Sequence, residues 1–362
     1  MSKEVFNKIG FSEGNPPAGG ESLSANRRTR LEDGAVMCFG EILLRMSPVL
    51  NGEWIHKASM PVYIGGAELN VASALAKWNI PVKYCTAMPD NYLSHDTLKE
   101  LQLKKINTSA VYLSGNRIGA YYLPQGADLK NAGVIYDRAH SSFAALQPGM
   151  INWDEALKDC SWFHFSAISP ALNENAALVC KEALKAAASK GLTISVDLNY
   201  RSKLWQYGRQ PVEIMPELVQ YCHLIMGNIW AVETLLGIQS SIENSEGKTT
   251  EELVEATGKS MLQIHKQYPN ATSFAYTFRL EKEYWGVLQH GPEMAVSKKF
   301  SIGNVIDKVG SGDCFMAGLI YCLYHKNVAQ DIINYAASAG VGKLQELGDA
   351  TKQTVEQVKV RL

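Results

Sequence analysis

Asp307-Lys308-Val309-Gly310-Ser311-Gly312-Asp313 runs straight into the apolar helical stretch Cys314-Phe315-Met316-Ala317-Gly318-Leu319. Glycines at a helix start let the backbone come close to a ligand. They also turn several N–H groups outward at the positive end of the helix dipole, which makes an anion site. Asp313, beside that site, is placed to take a proton from a hydroxyl held against the anion. Positioning and charge neutralisation of this kind are what phosphoryl transfer asks of a protein. A plain turn closed by an aspartate helix cap accounts for the same residues, and the segment alone does not choose between them.

A second glycine segment, Ile64-Gly65-Gly66-Ala67-Glu68-Leu69-Asn70-Val71-Ala72, leads into a helix of small residues. Small side chains let the chain approach a ligand, and Asn70 offers both a donor and an acceptor to hydroxyl groups. A tight turn followed by a closely packed helix is the competing account.

From Ala35 onward, apolar runs alternate with helical patterns. Strands are predicted at Val36–Phe39, Val82–Ala87, Trp162–Ile168, Thr193–Leu198, Leu224–Met226, Ser273–Phe278 and Trp285–Leu288. Helices are predicted at Ala67–Trp78, Thr97–Lys105, Asn173–Ser189, Thr250–Tyr268, Gly312–Tyr324 and Ala329–Leu347. Such alternation implies an α/β fold with a mainly parallel central sheet and helices on both faces, a class that binds ligands beyond the carboxyl ends of its strands. Two stretches, about 42–64 and 116–137, break the alternation with β-branched and aromatic residues and turn signals. They are expected to pair into a small β-sheet that covers one end of the main one as a lid and excludes water. Residues 1–34, with Asn15-Pro16-Pro17-Ala18-Gly19-Gly20 and the basic Arg27-Arg28-Thr29-Arg30, read as a flexible tail, and 35–362 as the domain.

Composition removes other classes. The 35 lysines and arginines nearly balance 36 aspartates and glutamates, so no overall field points to nucleic acid or an anionic membrane. No apolar run approaches the roughly 20 residues of a membrane helix, and the N-terminus lacks a secretion pattern. The seven cysteines show no CxxC pair and read as reduced, buried thiols of a cytoplasmic protein. The eight histidines are scattered without metal-ligand spacing, so no metal site is assigned to side chains.

Taken together, the two glycine segments resemble the paired signatures of the ribokinase-like (PfkB) carbohydrate kinases, whose late motif ends in Gly-x-Gly-Asp. The resemblance extends over nearly all of the chain from about Val36. Val196-Asp197-Leu198-Asn199-Tyr200-Arg201-Ser202-Lys203-Leu204-Trp205 and Val134-Ile135-Tyr136-Asp137-Arg138 further resemble segments of the 2-keto-3-deoxygluconate kinases within that family. The resemblance implies a ribokinase-like fold, ATP with Mg²⁺, a monovalent cation such as K⁺, a sugar acid as acceptor, and a homodimer through the lid. By position, Gly310, Ser311 and Gly312 match the anion hole and Asp313 the base. Gly65, Gly66 and Asn70 match the sugar-binding segment. Tyr121, Tyr136, Arg138 and Arg201 match residues that hold the keto-acid sugar, and Asn228 and Lys308 fall on the nucleotide side.

Physics also favours an anionic acceptor. Arg138 and Arg201 lie in otherwise apolar stretches, where an unpaired guanidinium is costly and a carboxylate is its best partner. Pairing within the chain, Arg138 with Asp137 and Arg201 with Asp197, is the alternative. Three positions depart from the family pattern on the nucleotide side. Lys308 stands in place of a threonine, Ala231 takes the acidic position of Asn-x-x-Glu, and Thr277-Phe278-Arg279 with Glu281-Lys282-Glu283 replaces a glycine-bearing turn. A neutral-sugar kinase of the fructokinase or ribokinase type, and a non-catalytic sugar-acid sensor, remain open.

Overall fold

The structure, a computed structural model, describes residues 34–125 and 133–362. The expected tail and the middle of the second lid segment, 126–132, lie outside the described residues. Numbered along the chain, the first strands are β1 (Ala35–Phe39), β2 (Leu43–Met46), β3 (Val62–Gly65), β4 (Val82–Met88), β5 (Ile106–Leu113), β6 (Gly119–Tyr122) and β7 (Ile135–Asp137). The rest are β8 (Cys160–Ser166), β9 (Thr193–Asp197), β10 (Leu224–Gly227), β11 (Ser273–Arg279), β12 (Glu283–His290), β13 (Glu293–Val296) and β14 (Phe300–Ser301).

The main sheet has the order β13-β12-β11-β10-β9-β8-β1-β4-β5, with β14 on β12. From β5 to β11 every neighbouring pair is parallel, and β12 and β13 add an antiparallel edge. Strands buried on both faces need apolar residues at nearly every position, and β4 is buried throughout. In β1, Val36 and Cys38 face the helices Ala67–Lys77, Ser311–Tyr324 and Ala329–Lys343. Met37 and Phe39 face the opposite layer, which includes Glu174–Ser189 and Pro211–Val219. The chain runs from β1 to β4 and β5 on one side and then returns to β8 on the other. The strand order therefore reverses between β1 and β8, and residues 197–201, 226–228 and 277–280, at the carboxyl ends of β9, β10 and β11, line the main cavity.

The expected small second sheet forms from the two stretches that break the alternation. Its four strands run β3-β2-β6-β7, with β2 and β6 parallel and the outer pairs antiparallel. Elsewhere the structure adds elements that the periodicity does not signal. β5 sits on the sheet edge, and the helices Pro211–Val219 and Ile229–Leu236 are short, the first carrying Pro216 inside it. The last long helix ends at Lys343 rather than Leu347, because the chain turns through 344–349 with Gly348 at φ 98°.

Candidate active site

The glycine cradle is the N-terminus of the helix Ser311–Tyr324. Gly310 caps it with φ 80°, and a Cβ there would lie 2.0 Å from the Asp349 carbonyl oxygen, so both conformation and space require glycine. At Gly312 a Cβ would meet nothing within 4 Å, because the room beside it belongs to the cavity. The intrahelical bonding begins with Cys314 N–H donating to the Gly310 carbonyl (2.8 Å), which leaves the earlier amides at the helix mouth. Behind the cradle, Ser311 Oγ donates to the Gly340 carbonyl at 2.9 Å. Gly318 packs so closely on Ala336 that a Cβ would approach its Cα to 2.7 Å. Small residues thus bring the helices Ser311–Tyr324 and Ala329–Lys343 together and fix the cradle on the core.

Asp313 lies in the first turn, buried but lining the cavity. Its Oδ2 accepts from Asn70 Nδ2 at 2.7 Å. Burial pushes its pKa up to about 7, while the Asn70 bond and the Arg201 charge pull it down and Glu68 and Asp349 push it further up. A carboxyl tuned to that range can accept a proton at neutral pH. Asn70 arrives from the helix Ala67–Lys77, whose preceding Gly66 has φ 137° and leaves no room for a Cβ, 2.3 Å from the Glu41 carbonyl oxygen. Its amide oxygen is buried without a hydrogen-bond partner, an acceptor awaiting a donor.

Asp349 lines the same cavity as Asp313 and is not among the residues that the sequence singles out. Tyr121 from β6 donates its hydroxyl to Asp349 Oδ2 at 2.9 Å, and Arg45 Nε from β2 pairs with Oδ1 at 2.8 Å. Arg45 also holds Asp307 through Nη2 at 2.7 Å, and stacks its guanidinium 4.3 Å from the Tyr63 ring centre. Asp307 in turn accepts from the Val309 and Gly348 amides, at 3.0 and 3.2 Å. Arg45 thereby ties the small sheet to the loop before the cradle and to the turn after the last long helix. The signal existed in the sequence: Arg45 is a lone charge in the strand Leu43–Met46, and Gly348-Asp349 is a turn pair.

Of the residues expected in the site, Gly66, Asn70, Tyr121, Tyr136, Arg201, Asn228, Lys308, Gly310, Ser311, Gly312 and Asp313 line one cavity. Gly65 stands behind it, where a Cβ would come 2.1 Å from Asp349 Oδ2, so it makes room for that carboxylate. Arg138 is not among the lining residues. It is buried, pairing through Nη2 with Glu41 Oε2 at 2.6 Å, while Asp137 pairs with Arg117 at 2.8 Å. The internal partner of Arg138 is therefore Glu41, not the adjacent aspartate. Arg201 donates to the Tyr200 carbonyl at 3.1 Å and lines the cavity. Trp230, Ser245 and residues 277–280 line the same cavity as Lys308, and Asn228 caps the helix Ile229–Leu236 by accepting from Ala231 N–H. Glu68 is buried at the ends of β1 and β8, where its Oε1 accepts from the Ser166 amide and hydroxyl and from the Ser169 hydroxyl. The arrangement can hold an anion at the cradle, a hydroxyl against Asp313, and an acidic group by Arg201.

Comparison with known proteins matches residues 34–268 to the pfkB family of carbohydrate kinases. The crystal structure of the 2-dehydro-3-deoxygluconokinase of Thermotoga maritima superimposes with a TM-score of 0.81 at 31% identity, over 91% of this chain and 99% of that one. A 2-dehydro-3-deoxygalactonokinase of Haloferax volcanii is 26% identical over 90% of this chain and 95% of its own length. The ATP-bound fructokinase of Xylella fastidiosa shares the fold, with a TM-score of 0.71 at 16% identity over 91% of this chain and 98% of that one.

Proposed function

Because this chain belongs to the pfkB family of carbohydrate kinases, we propose that it phosphorylates 2-keto-3-deoxygluconate on its terminal hydroxyl with ATP as donor. The observation that carries this reading is Asp313, a carboxyl raised to about 7 in the first turn behind a glycine cradle, with Arg201 on the same cavity. In the reaction, Asp313 takes the proton as the hydroxyl oxygen bonds to the γ-phosphorus. The bond from that phosphorus to the bridging oxygen breaks, and ADP leaves with the electron pair. The amides of the 310–312 cradle meet the charge that develops on the transferring group. Asn70 Oδ1 accepts from a sugar hydroxyl, Tyr121 and Tyr136 wall the sugar, and Arg201 faces its carboxylate. The lid over the cavity keeps water from competing.

Among the described residues no group of three or more His, Cys, Asp or Glu is disposed to hold a metal. Mg²⁺ fits as part of the nucleotide, held chiefly by phosphate oxygens and water, where it neutralises phosphate charge. Asn228, Lys308 and the mouth around Trp230 and Arg279 take the nucleotide. The chain from 35 to 362 works as one kinase unit with its lid. The lid's outer face exposes Ile55, Val62 and Ile135, which suits a second copy docking through it. No helix among the described residues is long and apolar enough to cross a membrane, and seven free, buried thiols suit a reducing, cytoplasmic setting.

An ADP-release assay over 2-keto-3-deoxygluconate, its galactonate epimer, fructose and ribose tests the reading. The expected result is turnover on the two acids and little on the neutral sugars. Preference for fructose or ribose would replace it with a neutral-sugar kinase, and binding without ADP release would leave a sensor.

A further inference from the structure

Lys343 is a fully buried lysine that the reaction described above does not use. It closes the helix Ala329–Lys343, and its side chain has no solvent exposure. An ionised lysine is rarely taken so deep unless its charge has work to do. Its surroundings say what the work is. Nζ donates to the Glu346 carbonyl at 3.1 Å, inside the turn that carries Gly348 and Asp349. Its Cε lies 3.3 Å from the point where a Gly310 Cβ would sit, so the side chain runs directly beneath the first residue of the cradle. Burial pulls its pKa down, and the nearby Asp307, Glu346 and Asp349 carboxyls push it back up.

The charge balance around the cradle gives this placement its meaning. Asp307, Asp313 and Asp349 are buried carboxylic groups beside a site meant for an anion. Arg45 pairs with both Asp307 and Asp349 from the small sheet, one positive charge between two carboxyl groups. Lys343 lies in the core beneath Gly310, buried in the folded protein. We propose that Lys343 is a positioning residue of the phosphoryl site: a resident cation that braces the 344–349 turn under Gly310 and offsets the neighbouring carboxylates, so that the cradle accepts phosphoryl charge. It acts through the cradle and touches neither substrate. The inference rests on the kinase reading and adds an internal charge to it.

The test compares wild type with Lys343→Gln, which keeps a donor for the Glu346 carbonyl, and with Lys343→Ala, which leaves a space for a small amine. Lys343→Gln is expected to lower kcat on the order of 10²-fold, the scale of losing one charge-stabilising group. Its KM for the sugar acid stays within about twofold, because Arg201 and Asn70 are untouched. AMP-PNP affinity, read by tryptophan fluorescence, falls several-fold. Methylammonium chloride restores part of the turnover of Lys343→Ala, whereas sodium chloride at equal ionic strength does not. A Lys343→Gln protein that turns over like wild type overturns the proposal. So does one that loses sugar affinity and turnover in step, or a Lys343→Ala protein indifferent to the amine. Wild type that releases no ADP with any sugar acid would sink the kinase reading instead, and the AMP-PNP comparison would then decide Lys343 alone.

Discussion

Replacing Asp313 by asparagine should make the ligand-free protein more stable at alkaline pH while removing the proposed catalytic base. Burial raises the folded-state pKa of Asp313 from the usual 3.8 to about 7. Between those values the folded protein binds a proton that the unfolded chain has released, so stability falls as pH rises through the window. A shift of about 3 units at about 1.4 kcal/mol each puts the full penalty near 4 kcal/mol above pH 7, as a ceiling. Asparagine removes the charge, and its side-chain oxygen still accepts from Asn70 Nδ2, so little packing is lost. Urea denaturation of both proteins without ligands at pH 8 should show the variant more stable by about 2–4 kcal/mol. At pH 5 the gap should shrink to less than half, because most of the window lies above that value. A variant less stable than wild type at pH 8, or an equal gap at both pH values, would refute the assignment of a charge-strained Asp313.

Removing Arg45 strands Asp307 and Asp349 in the interior, so Arg45→Ala should cost about 3–5 kcal/mol in thermal or urea unfolding. Arg201→Ala should weaken binding of a carboxylate sugar by about 2–5 kcal/mol in calorimetry and bind a neutral sugar nearly as before. Gly310→Ala forces a Cβ within 2.0 Å of the Asp349 carbonyl at a positive φ, and should cost about 2–5 kcal/mol of stability together with most of the turnover.

The parts of the molecule that were legible in the sequence are those written locally. Gly310-Ser311-Gly312-Asp313 and Gly65-Gly66 signal themselves because a helix mouth and a tight approach are made by consecutive residues. The parallel strands signal themselves because burial on both faces demands continuous apolar runs. β5 escaped because its pattern mixes buried and exposed residues along a sheet edge. The helix Pro211–Val219 escaped because two prolines in nine residues contradict the propensity rule that packing there overrides. Arg45, Lys343 and Asp349 are distant in sequence from the segments they serve, and only the closing of the lid and the 344–349 turn brings them to the cradle. Arg138 illustrates the same limit: its adjacent aspartate is a worse partner than Glu41, 97 residues away.

The most direct test of the central claim is the rate of ADP release by Asp313→Asn with saturating ATP and 2-keto-3-deoxygluconate, set against wild type. Loss of the positioned base should lower kcat by about 10²–10⁴-fold with sugar affinity nearly intact. Turnover within a few-fold of wild type would contradict the role assigned to Asp313.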